Sequence, residues 1–380
     1  MKIRPYITAV LLAVSSLASM SAAEPDSIAP KRHGLINRVL DYFKESNTDK
    51  SDKGFDFSII GGPHYASDTK LGLGLVAAGL YRTNHLDTIT PRSNVSLFGD
   101  ISTSGFYMIG IRGNHFFPMD RFRLDYSVYF YSFPSYFWGI GYENQHIDSN
   151  KSKYKRLQAK AEVNFLIRIA ENLYVGPGIE YCFIQSKKPD NQALWLRQDL
   201  KTTSLGYGLT LSYDTRDLTT NASRGVYLAA QQRFYPRATF NDYAFSSTEI
   251  TASAYRKMWN GGIFATRIHG MFTYGNTPWG MMAELGDDAM RGYYKGRYRD
   301  KNDIDFVAEL RQHVWRRNGI VVWAGAGTVF PRFEELRWKR VLPEAGIGYR
   351  WEFKDRVNVR LDFGIGRNST GFLFGINEAF

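Results

Sequence analysis

The chain has 380 residues, a formal net charge of +11, a mean hydropathy of −0.34, 15% aromatic residues and a single cysteine, Cys182. One cysteine excludes an intramolecular disulfide, and no segment after the N-terminal stretch approaches the ~20 apolar residues of a membrane helix, which excludes a helical membrane protein. The basic residues are not concentrated into one stretch, so nucleic-acid binding has little support; a soluble exported protein and a transmembrane β-barrel, whose alternating strands look only mildly hydrophobic overall, both remain open.

Lys2 and Arg4, the apolar run Tyr6 to Ala18, and small residues at Ser21 and Ala23 before Glu24 have the layout of a secretory signal over residues 1–23, cleaved after Ala23. No cysteine follows that point directly, so a lipid-modified N-terminus is not indicated. Loss of Lys2 and Arg4 lowers the charge from +11 to +9. Residues 24–54 form a periplasmic N-terminal segment in which Leu35, Ile36, Val39, Leu40 and Phe43 fall at helical spacing. A short amphipathic helix is expected there, as a tether or cap under the barrel or as a docking helix for a partner, followed by the hydrophilic linker Asn47 to Lys53.

From residue 55 to 380 the period is two, as strands with one apolar face require. Between Tyr154 and Ile169, Leu157, Ala159, Ala161, Val163, Phe165, Ile167 and Ile169 make one face and Arg156, Gln158, Lys160, Glu162, Asn164 and Arg168 the other. Phe122 to Phe130 places Arg123, Asp125 and Ser127 inward, and Arg356 to Ile365 does the same with Arg356, Asn358, Arg360 and Asp362. The runs exceed the ~5–6 residues of ordinary globular strands and suit tilted membrane-spanning strands.

Sixteen strands are expected, at 55–65, 70–83, 91–101, 104–117, 120–131, 153–169, 172–185, 203–214, 224–236, 245–258, 261–275, 303–316, 319–330, 341–353, 356–367 and 371–380. The long connectors 132–152, 186–202, 276–302 and 331–340 all follow odd-numbered strands, and most connectors after even-numbered strands are tight. Long loops at one end, short turns at the other and an even count describe an all-β, antiparallel outer-membrane barrel with both chain ends in the periplasm. Tyr136 to Tyr142 is kept in the loop, because a strand there would mix the two sides. Phe372, Phe374, Ile376 and Phe380 alternate as a last strand, with Glu378 breaking the pattern.

The stretch Gly286 to Lys301, between strands eleven and twelve, carries Arg291, Lys295, Arg297, Arg299 and Lys301, and is too charged to lie in lipid. Met290-Arg291-Gly292-Tyr293 within it, Tyr213-Asp214-Thr215-Arg216-Asp217 with Arg224-Gly225, and Leu342 to Arg350 with Arg360-Leu361-Asp362 together resemble the BamA/TamA-type bacterial surface antigen family. The resemblance implies a sixteen-stranded barrel that inserts or translocates proteins at the outer membrane. It also implies a long loop folded into the lumen, whose arginine pairs with acids on neighbouring strands, and a periplasmic turn at Asp214, Arg216, Asp217 and Gly225. Strand phase turns Glu309 into the lumen and makes it the expected partner of Arg291.

The sequence departs from that family in three places. Gly325 stands where an aspartate is usual, Ala222 where a proline is usual, and only ~30 residues lie between the signal and the first strand, so the periplasmic POTRA domains are expected to be absent. None of the seven histidines lies in a nucleophile-elbow pattern or a paired metal spacing, so no enzyme activity, metal or cofactor is expected. His269 and His313 read as inward-facing. The expected function is insertion or export of proteins through the lateral seam between first and last strands, where Gly61, Gly62, Gly371, Gly375 and Phe380 lie. The alternative is a structural or pore-forming barrel subunit acting with a separate periplasmic or surface partner. Expected partners are outer-membrane lipids and client β-barrel proteins or a periplasmic accessory protein, with no small-molecule substrate evident.

Overall fold

A strand of strict apolar/polar alternation needs two different surroundings for its two faces. The computed structural model describes residues 55–380 apart from 67–69, 83–89, 287–288 and 355; the signal, the amphipathic helix and the linker lie outside the described residues. Sixteen strands pair in chain order into one antiparallel sheet. They are β1 Phe55–Ala66, β2 Lys70–Tyr81, β3 Ser93–Ser102, β4 Tyr107–Phe116, β5 Phe122–Phe137, β6 Ser152–Ala170, β7 Leu173–Lys187 and β8 Lys201–Asp214. The second half comprises β9 Gly225–Tyr235, β10 Phe245–Trp259, β11 Gly262–Gly275, β12 Asn302–Trp315, β13 Asn318–Phe330, β14 Leu342–Lys354, β15 Val357–Gly366 and β16 Ser369–Ile376. Two-residue turns close several hairpins, with Asn172 (φ 58°), Gly261 (φ 75°) and Arg316 (φ 51°) in the left-handed region that such turns use. The outer edges of β1 and β16 are the two ends of the ladder.

The burial is inverted relative to a water-soluble protein. On β6, Tyr154, Arg156, Gln158 and Asn164 are buried while Val163, Phe165 and Ile167 are exposed. Ile179 and Leu209 are 57% and 60% exposed, whereas Arg233 is 2% exposed. Left in water, each such aliphatic side chain forfeits ~1.5–3 kcal/mol of burial, so this exterior belongs in hydrocarbon. A transmembrane barrel satisfies both faces, with apolar side chains outward and polar ones on the lumen wall. No described helix is long and apolar enough to cross a membrane.

Two boundaries differ from the pattern read in the sequence. Strand β5 continues through Tyr136 and Phe137, because Pro134 to Phe137 stay in register with Lys155 to Ser152 of β6. Gly139 (φ 91°) and Gly141 (φ 86°) then end the strand before a single helical turn, Tyr142–Gln145. At the other end β16 stops at Ile376, and the last four residues turn into the lumen. Phe372 and Phe374 face outward, so in register Glu378 would meet lipid. Asn377 (φ 69°) turns the chain instead, and the Glu378 carboxylate reaches Arg350 Nε (2.8 Å) and Asn358 Nδ2 (2.6 Å).

Candidate functional site

The connection between β11 and β12 is a folded element. Ala283–Glu284 pairs with Arg299–Asp300 in a short antiparallel ladder, and the N–H of Leu285 donates to the Tyr298 carbonyl (2.9 Å). Its apolar side chains Leu285, Met290, Tyr293 and Tyr298 pack on Val307, Val321, Trp323 and Leu342 of the wall, so the loop is held by a small hydrophobic core inside the barrel.

At its tip Arg291 is wholly buried. Its Nη2 donates to Glu309 and its Nη1 to Asp362 Oδ2 (3.1 Å), with the guanidinium carbon 3.8 Å from the Trp323 ring centroid. The N–H of Gly292 donates to Glu344 (2.6 Å), the Tyr293 hydroxyl donates to the Pro343 carbonyl (2.6 Å), and the N–H of Arg367 donates to that hydroxyl (2.8 Å). Glycines allow this close seat. A Cβ at Gly292 would lie 2.8 Å from the Gly366 nitrogen, and one at Gly371 would overlap the Arg291 carbonyl.

The acids touched by Arg291 are shared. Arg311 binds Glu309 (2.6 Å), while Arg350 (2.6 Å) and Arg360 (3.2 Å) bind Asp362. Arg350 also binds Glu378 (2.8 Å), which makes one network across β12, β14, β15 and the C-terminal turn. Four guanidiniums (Arg291, Arg311, Arg350, Arg360) face four carboxylates (Glu309, Glu344, Asp362, Glu378), the near-neutral balance that buried charge requires.

The rest of the loop is tied to its neighbours. The Gln145 carboxamide donates to the Arg299 carbonyl (2.7 Å) and accepts from the Arg299 N–H (3.0 Å). Glu284 binds Arg156 (3.2 Å) and Arg299; burial alone would raise its carboxyl, but the two arginines outweigh it and hold it at about 2. Among the described residues Asp300 makes no ion pair of this kind, and burial pushes its carboxyl up to about 6, only partly offset by the Lys301 N–H. Phe137, Tyr154, Trp195 and Trp279 pack together from β5, β6 and two loops, with Phe137 and Trp195 centroids 4.3 Å apart.

At the opposite end the β8–β9 connection is equally ordered. Arg216 chelates Asp214 (2.9 and 2.8 Å) and lies 4.1 Å over the Tyr227 ring. Asp217 accepts from the Ser223 N–H (2.9 Å), the Ser223 hydroxyl (2.6 Å) and Arg356 (2.9 Å); burial opposes these contacts, which still hold its carboxyl at about 2. Gly225 has φ 106°, and a Cβ there would overlap the Thr215 carbonyl. The C-terminal turn seals against this connection, with the N–H of Glu378 donating to the Thr220 carbonyl (3.3 Å).

The Omp85 superfamily domain model matches residues 111–380. The chain belongs to the Omp85 superfamily. BamA from Haemophilus ducreyi lacking POTRA domains 1-3 is similar in structure, with a TM-score of 0.53 at 12% identity over 84% of this chain and 69% of that one. CdiB from Acinetobacter baumannii matches with a TM-score of 0.50 at 11% identity over 94% and 69% of the two chains. CdiB from Escherichia coli matches with a TM-score of 0.53 at 12% identity over 85% and 61%. No curated protein sequence matches this chain. This Omp85 barrel is thus an outer-membrane protein that crosses the bilayer with strands.

Within the Omp85 barrel, Met290, Arg291, Gly292, Tyr293 and Glu309 come together in one buried site, and Asp214, Arg216, Asp217 and Gly225 in another. The seam residues divide. Gly61 and Gly62 lie on β1 opposite Leu75 and Gly74 of β2, on the ladder's edge strand. Gly371 faces the lumen loop, and a Cβ at Gly375 would lie 3.0 Å from Arg360 Nη2, so both make room for arginine contacts. Phe380 is away from the strand, its carbonyl on Arg311 (2.9 Å) and its ring 6.4 Å from that of Tyr255; the turn at Asn377 carries it there.

Sequence reasoning missed Asp362 as the second Arg291 partner, although its inward phase was readable, and missed Glu344, Gln145 and Glu378. Where the family resemblance implies an aspartate on β13, Gly325 stands, and the second carboxylate comes from β15 instead. His269 sits among Asp305 (3.1 Å), Glu249 (3.2 Å) and Asp303 (3.9 Å). Arg267 also engages Asp305 (3.1 Å) and the Met271 N–H engages Asp303 (2.8 Å), which makes the group an ion-pair ladder on the wall.

Proposed function

We propose that this Omp85 barrel inserts or exports proteins at the outer membrane by lateral strand exchange at the β1/β16 seam. The carrying observation is the pair of unequal edges, twelve residues in β1 and eight in β16, that end the ladder. An edge in hydrocarbon leaves backbone groups unpaired, each at a cost of several kcal/mol. A client strand that pairs there removes that cost for itself and for the barrel. Pro63 supports this reading, because a proline on β1 has no N–H for a permanent ladder.

The Arg291 network would keep the β12–β15 wall and the lumen loop fixed while the seam exchanges partners. The folded loop and the inward C-terminal turn occupy the two ends of the lumen, which favours a lateral route over an axial one. The chain encodes no energy source, so folding of the client drives the transfer. Proteoliposomes holding the purified protein should accelerate membrane insertion of urea-unfolded client barrels over protein-free liposomes. Equal insertion rates would reject the proposal, and co-purification of one stoichiometric periplasmic or surface protein together with those equal rates would favour a partner-dependent subunit.

A further inference from the structure

We propose that the outer wall of β5, β6 and β7 carries a binding site for a phosphorylated lipid headgroup, built from Lys153, Lys155 and Lys187. Alternation on β6 turns Arg156 and Gln158 inward, so Lys153 and Lys155 face outward, directly beyond Leu157 on the apolar band. They lie near the end of the barrel that bears the long loops, which is extracellular in an outer-membrane barrel. This is the depth at which a bilayer presents its headgroups.

The register makes the arrangement costly without a ligand. Lys155 of β6 is directly opposite Lys187 of β7, a cross-strand position at which like charges repel. Lys153, Lys155, Lys187 and the adjacent Lys188 are all exposed, and among the described residues none makes an ion pair with a carboxylate. Two cations of the β13–β14 loop do have carboxylate partners, Arg332 with Glu335 (2.9 Å) and Arg340 with Glu143 (2.7 Å). Lys155 and Lys187 thus face each other across the strand pair without an ion-pair partner among the described residues.

A recess is already present beside Lys153 and Lys155. It has a volume of about 290 Å³ and is lined by Ser104, Pro134, Lys153, Lys155, Lys188 and Asp190. Asp190 stands at its edge, its N–H donating to the Lys153 carbonyl (2.9 Å). An aromatic side chain supports one of the stems, with Lys155 Nζ 5.9 Å from the Tyr107 centroid. Ammonium groups raised from an aromatic belt in this way meet headgroup phosphates while their methylenes remain against acyl chains. The continuous apolar wall below the recess selects a lipid over a free phosphate, because only a lipid places phosphate and acyl chains on both surfaces at once.

The test uses the full chain in neutral-lipid nanodiscs containing equal amounts of bisphosphorylated and dephosphorylated lipid A, with retained lipid counted by native mass spectrometry. Wild type should retain the phosphorylated form preferentially. The Lys153→Ser/Lys155→Ser/Lys187→Ser variant should lose about a hundredfold of that preference, the combined effect of three lysines near anionic lipid. The corresponding Lys→Arg triple variant should keep it, as should Arg256→Ser on the opposite rim. Heat-resistant gel mobility establishes that each variant is folded. Equal retention of both lipids by wild type, an unchanged preference in the folded Lys→Ser variant, or full displacement of the lipid by inorganic phosphate would each overturn the proposal.

Discussion

Replacing Arg291 by alanine removes a wholly buried guanidinium from between Glu309 and Asp362. Breaking one side of a buried ion pair costs ~3–5 kcal/mol when the partner is orphaned. Here neither acid is orphaned, because Glu309 keeps Arg311, and Asp362 keeps Arg350 and Arg360. That places the electrostatic loss near ~3 kcal/mol, to which the lost contact over the Trp323 ring adds ~1 kcal/mol. A total near ~4 kcal/mol is a large fraction of the ~5–15 kcal/mol that stabilises a typical domain.

Arg291→Ala should therefore reduce heat-resistant folded barrel in membranes and lower the urea midpoint of the purified protein, and Arg291→Lys should recover only part of the loss, since one ammonium cannot span both acids. A double-mutant cycle with Glu309→Gln should show a coupling of at least ~1 kcal/mol. Arg332→Ala supplies the contrast: its pair with Glu335 is solvent-exposed and should be worth under ~1 kcal/mol. Unchanged gel mobility, abundance and urea midpoint in Arg291→Ala, or zero coupling to Glu309, would refute the account of the network.

Three further outcomes follow from the loop's seat. Gly371→Ala drives a methyl group into the Arg291 carbonyl and should lift the loop, at ~1–3 kcal/mol; trypsin cleavage after the exposed Lys295 should rise, and equal cleavage to wild type would count against close packing there. Gln145→Ala removes both hydrogen bonds to the Arg299 backbone and should cost ~1–3 kcal/mol, read as faster amide exchange at Arg299 with little change in β8. Asp300 has a folded pKa near 6 against an ordinary 3.8, so the native state binds a proton more tightly than the unfolded one. The penalty for its charge is full above about pH 6 and relieved as pH falls toward 4, so the urea midpoint should rise on that descent. Asp300→Asn should flatten that part of the profile; an unaltered slope would assign it to other groups.

The period of two decided nearly all of the barrel in advance. Strand number, the side of the long loops and the inward phase of Glu309 and Asp362 follow from alternation and turn spacing, because each strand must solve the same two-faced solvation problem by itself. The loop motif was legible for the same local reason, as a charged stretch that lipid excludes. What alternation does not carry is distance across the lumen. It marked Asp362 as inward without linking it to Arg291, since that contact joins residues 71 positions apart through a loop whose path is not periodic.

Glu378 was readable only as a flaw in the last strand. Its role depends on Arg350 and Asn358, which tertiary structure alone brings within reach of the turn at Asn377. Gly371 and Gly375 likewise read only as seam positions, and became contact positions once arginine-bearing segments were laid against them. By itself the sequence determined which side chains face lipid and which face the lumen, because that is a property of single strands. Tertiary structure decided which lumen charges meet, which lysines stand opposite each other on neighbouring strands, and where the ladder ends, because those depend on register and closure among segments far apart in the chain.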